Sequence, residues 1–210
     1  MRATHYLIAC LLGVLPVCQL CAQMLTAATP HAKQPAWRIE RETKLVINGK
    51  ANIANIACDI KTYDKADTLL VMPGSDADSI ALQGKLAYDI IDFNCKNFFF
   101  TSQLRKTLKA DQHPMMLIRL VKLDKLPAAG NSTAYCEASG EVEITLAGVT
   151  RRFQIPIRFC NYPGGRSVLF GARNFRLEDF NLKGPGKVAG FIRVKNDFKV
   201  EFHMALTRIQ

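Results

Sequence analysis

Residues 140–159 read Gly140-Glu-Val-Glu-Ile-Thr-Leu-Ala-Gly-Val-Thr-Arg-Arg-Phe-Gln-Ile-Pro-Ile-Arg-Phe159. Val142, Ile144 and Leu146 alternate with Glu141, Glu143 and Thr145, and after the turn Phe153, Ile155, Ile157 and Phe159 alternate with Arg152, Gln154 and Arg158. Period-two alternation on both sides of a Gly-containing turn predicts a β-hairpin. Each strand has one apolar and one charged face, so one side meets a core and the other meets water. On the outer face Glu141 and Glu143 are expected to oppose Arg151, Arg152 and Arg158.

Alternation extends outward from this hairpin. Residues 37–47 read as short strands carrying Ile39, Leu45 and Ile47, with Asn48-Gly49 as a hairpin turn. Residues 51–71 read as a strand pair or one bulged strand. In residues 80–93, Ile80, Leu82, Leu86, Tyr88 and Ile90 share one parity. Phe98, Phe99 and Phe100 read as core or barrel floor. A helix is predicted over 101–111, capped by Ser102 and burying Leu104 and Leu108 at i, i+4. Residues 115–126 return as a strand and 127–133 as a loop. Val168, Phe170 and Ala172 mark another strand, and 175–180 a short ordered turn. Residues 188–194 and 198–209 form a last hairpin around Asn196-Asp197. Nine or ten strands with one short helix predict an all-β fold, an antiparallel up-and-down barrel. Eight strands enclose just enough room for side chains or one small ligand.

The chain has 210 residues and a formal net charge of +10. Residues 1–22 have the pattern of a secretory signal peptide. Arg2 forms a basic n-region, 6–15 an apolar stretch, and Ala22 a small residue before the cleavage point. The alternatives are a membrane anchor, for which 6–22 is short and interrupted by Pro16, and a lipoprotein signal ending at Cys18, where Val17 fits poorly. Residues 23–36 read as a flexible linker and 37–210 as the domain, placed in the periplasm or secreted. The cationic residues are scattered rather than clustered, and no nucleic-acid motif is present, which argues against nucleic-acid binding. A basic face leaves peripheral contact with an acidic partner or anionic membrane open, and unpaired edge strands leave a homodimer open.

Seven cysteines are present, and Cys58, Cys95, Cys136 and Cys160 lie beyond the signal segment. An even number in an oxidising compartment points to disulfides. Cys136 and Cys160 are equidistant from Gly148, and Cys58 and Cys95 nearly so from the loop at 72–79. The expected pairs are therefore Cys136–Cys160 and Cys58–Cys95. The first needs a bulge at Gly140 or near Pro156, because strict alternation puts its two cysteines on opposite faces. The spacing does not suit a zinc site.

Four ordered stretches resemble the YceI-like family of exported lipid-binding proteins. They are Leu45-Val-Ile-Asn-Gly-Lys-Ala-Asn-Ile-Ala-Asn-Ile-Ala-Cys58, the segment 99–114 with its Leu-Arg-Lys-Thr-Leu-Lys-Ala-Asp-Gln-His-Pro core, the hairpin 140–153, and 175–190. The family's usual His-Ser-x-Val-x-Phe opening is missing here. The resemblance implies an elongated, lipocalin-like antiparallel barrel whose apolar interior takes a polyisoprenoid or similar amphiphile.

The residues expected to line that interior are Ile53, Ile90, Phe98, Leu117, Ile144, Phe153, Ile155, Phe170, Phe191 and Phe202. The alternative is a filled barrel acting as an envelope structural or protein-binding module. No Gly-x-Ser-x-Gly, HExxH, Cys/His pair or P-loop is present. His203 reads as a strand histidine, and Glu178-Asp179 as a turn. No catalytic residue, metal or cofactor is expected, and an apolar small molecule or lipid is the expected partner.

Overall fold

A computed structural model of the chain describes residues 35–74, 79–125, 135–188 and 191–209. The signal segment at 1–22, most of the linker at 23–36 and the loop at 127–133 lie outside them. Pro35 and Ala36, expected in the linker, already belong to the sheet: Pro35 accepts a hydrogen bond from Val71 N, and Ala36 is buried.

The described residues form strands β1 (Ala36–Ile39), β2 (Lys44–Ala51), β3 (Asn55–Ile60), β4 (Thr68–Pro73), β5 (Ile80–Gln83), β6 (Leu86–Asp89), β7 (Met115–Leu123), β8 (Cys136–Leu146), β9 (Val149–Tyr162), β10 (Arg166–Arg176), β11 (Lys187–Val188) and β12 (Ile192–Ile209). One α-helix, α1 (Phe98–Thr107), separates β6 from β7. The ring β1–β4–β5–β7–β8–β9–β10–β12 returns to β1, so eight antiparallel strands close a barrel. β2 and β3 extend from the same β12 edge.

The central hairpin forms as its alternation predicts. β8 and β9 pair without a break from Leu146↔Val149 to Cys136↔Phe159. Ala147 and Gly148 make a two-residue turn with φ of 49° and 78°, the primed geometry that matches strand twist. Gly148 is also required sterically, because a Cβ there would lie 2.9 Å from the His113 ring. Val142, Ile144, Leu146, Ile155, Ile157 and Phe159 all face the core. Outside, Arg152 alone among the three expected arginines bridges both acids, at 3.0 Å to Glu141 and 3.2 Å to Glu143. Arg119 from β7 joins Glu143 at 3.1 Å. Arg151 instead donates to the Asp179 carbonyl, and Arg158 lies over the Tyr135 and Phe170 rings. Burial opposes ionisation of Glu143, but hydrogen bonds from Arg119 and Arg152 outweigh it and hold its pKa below the usual value.

The same register corrects one disulfide. The turn axis falls between Ala147 and Gly148, not at Gly148, so Cys136 stands opposite Phe159 rather than Cys160. No bulge restores the match, and the two sulfurs are not bonded to each other. Cys58 and Cys95 do form a disulfide.

That bond lies at a seam. β5 and β6 run along β7, interrupted at Gly84, while β1 and β2 run along β12, interrupted at the Glu40–Thr43 corner. At one end β4 pairs with β5 and completes the ring. At the other, no continuous pairing joins β3 to β6. Three links replace it: Cys58–Cys95, the isolated bridge Asp59↔Asn94, and the loop after β3. In that loop buried Tyr63 accepts from Ala87 N at 2.9 Å and donates to Asp67. Lys65 reaches the Ala87 carbonyl at 2.7 Å and Asp89 at 2.9 Å. Burial and the Asp67 hydrogen bond raise the Tyr63 pKa well above its ordinary value.

Several sequence expectations move. Asn48-Gly49 lies within β2, and the chain turns instead at 52–54. β12 runs through Asn196-Asp197 with only a register shift between Val194 and Phe198. The helix begins at Phe98 because Asn97, not Ser102, caps it, accepting from Phe99 N at 2.9 Å and Phe100 N at 3.2 Å. The phenylalanine triple is thus the first helical turn.

The Cys58–Cys95 bond closes a loop with a sequence separation of 37 residues. Chain entropy gives such a cross-link about 4 kcal/mol. The double variant Cys58→Ser, Cys95→Ser is expected to lose roughly that much in equilibrium denaturation, and reductant is expected to bring the wild type down to the same curve.

Candidate apolar site beneath helix α1

At the barrel end holding α1, three elements converge over the interior. α1 presents Phe100 and Leu104 at i and i+4, its C-cap Leu108 continues the row, and all three line an apolar cavity. Opposite them stand Ile47 and Ile56 of β2 and β3, Leu146 at the end of β8, and Phe198 of β12. Leu177 from a 3-10 turn (Leu177–Phe180) and Pro185 complete the wall, and Cys58 of the disulfide borders it.

The helix is held from its N-terminal side. Thr101 Oγ1 donates to the Asn97 carbonyl at 2.9 Å and accepts from Cys95 N at 3.0 Å. Arg105 donates to the Ile91 carbonyl and, at 3.1 Å, to that of Phe93. Lys109, at φ 55°, ends the helix.

The cavity measures about 90 Å³. Sites for drug-sized molecules run to about 300–1,000 Å³, so it accommodates only a short stretch of hydrocarbon in this conformation. Aromatic packing is the reason. Phe153, Phe175, Phe180 and Phe198 form a cluster with ring centroids 4.9–6.3 Å apart. Phe198 belongs both to this cluster and to the cavity wall. An open groove adjoins the cavity through Gly49, Ile56, Lys195 and Phe198, and carries Lys50, Arg176 and Lys199 together with Asp179 and Asp197.

The expected lining residues divide into three groups. Ile90, Ile144, Ile155 and Phe202 are buried in the core, and Phe153 packs against it. Leu117 and Phe170 lie on the other parity: Met116, Ile118 and Leu120 face inward on β7, and Leu169 on β10. Phe170 sits outside, 4.6 Å from His203 and under Arg158. Ile53, Phe98 and Phe191 are 57%, 89% and 67% exposed. Ile53 stands in the β2–β3 turn, Phe98 at the outer start of α1, and Phe191 at the β11–β12 turn, so none of the three lines the interior. The cavity residues Phe100, Leu104, Leu108 and Phe198 lie outside the expected lining. The i, i+4 pair Leu104 and Leu108 was visible as a packing face, and its meeting with Ile47 and Ile56 is a tertiary event.

The polar groups weighed from sequence have structural partners. Asn196 donates to Glu178 at 2.8 Å, and Asp179 accepts from Arg176 N at 2.8 Å. His203 is partly buried on the outer face, where burial and then Lys44 lower its pKa. Among the described residues no group of three His, Cys, Asp or Glu side chains is placed to hold a metal ion.

Replacing Asn97 with Ala removes the N-cap, at a cost of about 1 kcal/mol. Amide hydrogen exchange is expected to accelerate in the first turn of α1 while β8 and β9 keep their protection.

No family model matches the sequence, and no curated protein matches it. Solved structures do match. A polyisoprenoid binding domain from Saccharophagus degradans, implicated in plant cell wall breakdown, aligns at 12% identity and a TM-score of 0.58 over 82% of this chain and 98% of its own. BcnA of Burkholderia cenocepacia aligns at 15% identity and 0.55 over 78% and 95%. A mutant YceI protein of Campylobacter jejuni aligns at 12% and 0.50 over 77% and 85%. At such identities the likeness is one of fold, and the chain has the fold of the YceI-like barrels.

Proposed function

We propose that the protein is an exported, non-enzymatic carrier of an apolar or amphiphilic molecule, a polyisoprenoid or another lipid. The observation that carries this reading is the apolar cavity roofed by α1 and continuous with a polar groove. A hydrocarbon tail would enter beneath Leu104 and Phe100, and the polar head would rest in the groove. The polyisoprenoid-binding neighbour shares the fold and lends support. The Cys58–Cys95 bond and the signal-like segment suit an oxidising compartment outside the cytoplasm.

Binding a long tail would require the interior to open. The four-phenylalanine cluster blocks the path, and rotation of Phe153 and Phe198 with outward movement of α1 would clear it. Burying apolar groups yields about 0.8 kcal/mol per CH₂. Three isoprene units would therefore supply on the order of 10 kcal/mol before entropy, enough to offset a modest repacking. The small resting cavity also favours a second reading, a filled barrel that serves as an envelope structural or protein-binding module.

Native mass spectrometry of protein purified without detergent distinguishes the two. A lipid adduct is expected in the wild type and is expected to be lost in Leu104→Trp, which fills the cavity. Repeated preparations without any adduct, together with no uptake of an added polyisoprenol, would leave the filled barrel as the answer.

A further inference from the structure

Two apolar side chains stand side by side at the end of the barrel where the cavity lies. One tip is the β2–β3 turn, with Ile53, and the other is Phe191, which immediately precedes β12. Asn52 ties them. Its Nδ2 donates to the Phe191 carbonyl at 3.2 Å, its Oδ1 accepts from Arg193 N at 2.9 Å, and its backbone N donates to the Arg193 carbonyl at 3.0 Å. The tips are thus one hydrogen-bonded unit, yet both large apolar side chains stand in solvent. Exposed Ile and Phe side chains are not needed to join these segments, since Asn52 does that through its amide and backbone.

The charges next to them in sequence are cationic. Lys50 precedes the first tip, and Arg193 and Lys195 follow the second, all three exposed; Asp197, with Asp179, lies further along, in the groove that Lys50 and Lys195 also border. Apolar crests within a cationic collar match the interfacial zone of a bilayer, where hydrocarbon lies beneath anionic phosphates. An acidic protein would meet the cations but would leave the two crests without a defined apolar partner. The cavity wall includes Gly49, Val194 and Lys195, which adjoin these tips in sequence.

We infer that the paired tips at Ile53 and Phe191 dock the barrel peripherally on an anionic membrane surface, with the cavity mouth beside the contact. The docking stands on the tips alone. It would bring a bilayer-resident amphiphile next to the opening without passage through water.

The test is co-sedimentation of the full chain with vesicles of phosphatidylglycerol and phosphatidylcholine in equal parts, against vesicles of phosphatidylcholine alone. The wild type is expected to prefer the anionic vesicles and to lose most of that preference near 1 M salt, where the screening length falls to about 3 Å. The double variant Ile53→Ser, Phe191→Ser is expected to bind about tenfold more weakly, and Lys50→Glu, Lys195→Glu to lose the anionic preference. All variants carry the same N-terminal segment, so differences among them report the tips, and unchanged thermal unfolding confirms that each is folded. Leu104→Trp, which blocks the cavity, is expected to bind vesicles like the wild type, so failure of the carrier reading and failure of docking give different results. No binding to anionic vesicles, or equal binding by the tip variant, would overturn the inference. So would light scattering that shows a dimer converted to monomer by Phe191→Ser, because the tips would then cover a second copy.

Discussion

Closure of the barrel depends on the backbone hydrogen bonds of β12. This strand, 18 residues long, pairs along one edge with β10 and along the other first with β2 and then with β1. A sheet with two open edges would expose unpaired amides and carbonyls. β12 removes the problem over most of its length by serving two partners in turn. The exchange requires a break between β1 and β2, and buried Thr43 supplies it. Its hydroxyl accepts from Ala205 N at 3.1 Å and contacts the Ala205 carbonyl at 3.3 Å, so the corner stays satisfied.

That solution leaves the β3–β6 seam without a ladder. The chain closes it by other means: a covalent bond, a single bridge, and a buried tyrosine hydroxyl pairing an amide that would otherwise be orphaned. α1 hangs from the same seam through Cys95, Asn97 and Thr101. The apolar cavity lies here because continuous strand pairing stops here. A helix packed over a gap can move without breaking a sheet, which a strand in the ring cannot do. The outer surface contributes less. Its ion pairs, such as Arg152 with Glu141 and Glu143, join an exposed arginine to half-buried glutamates at the barrel surface, and surface pairs contribute at most about 1 kcal/mol each.

Interior packing sets the limit on what the barrel can hold. Gly171 illustrates it: a Cβ there would fall 2.1 Å from the Phe202 ring, so the absence of a side chain on β10 is what admits the phenylalanine from β12. Phe153, Phe175, Phe180 and Phe198 pack ring against ring, and Phe198 carries this cluster to the cavity wall beneath α1. Among the described residues, the apolar cavity beneath α1 measures only about 90 Å³.

Local chemistry in the sequence determined the β8–β9 hairpin, the antiparallel barrel class, the single helix and the Cys58–Cys95 pair. Strict alternation over both arms of a two-residue turn leaves few other registers for β8 and β9. Parity was less legible where both faces of a strand are apolar, as in β7 and β10, and there Leu117 and Phe170 fall outside while their neighbours Ile118 and Leu169 point in. Turn positions misled wherever a glycine or asparagine has another use: Gly49 continues a strand, and Asn196 bonds to Glu178. The Cys136 position opposite Phe159 follows from the two-residue turn of that hairpin, whereas only the tertiary structure decided that Ile53 and Phe191 stand side by side and that α1 roofs a cavity against β2 and β3. These last two depend on which distant segments meet, and periodicity along one segment carries no information about its partner.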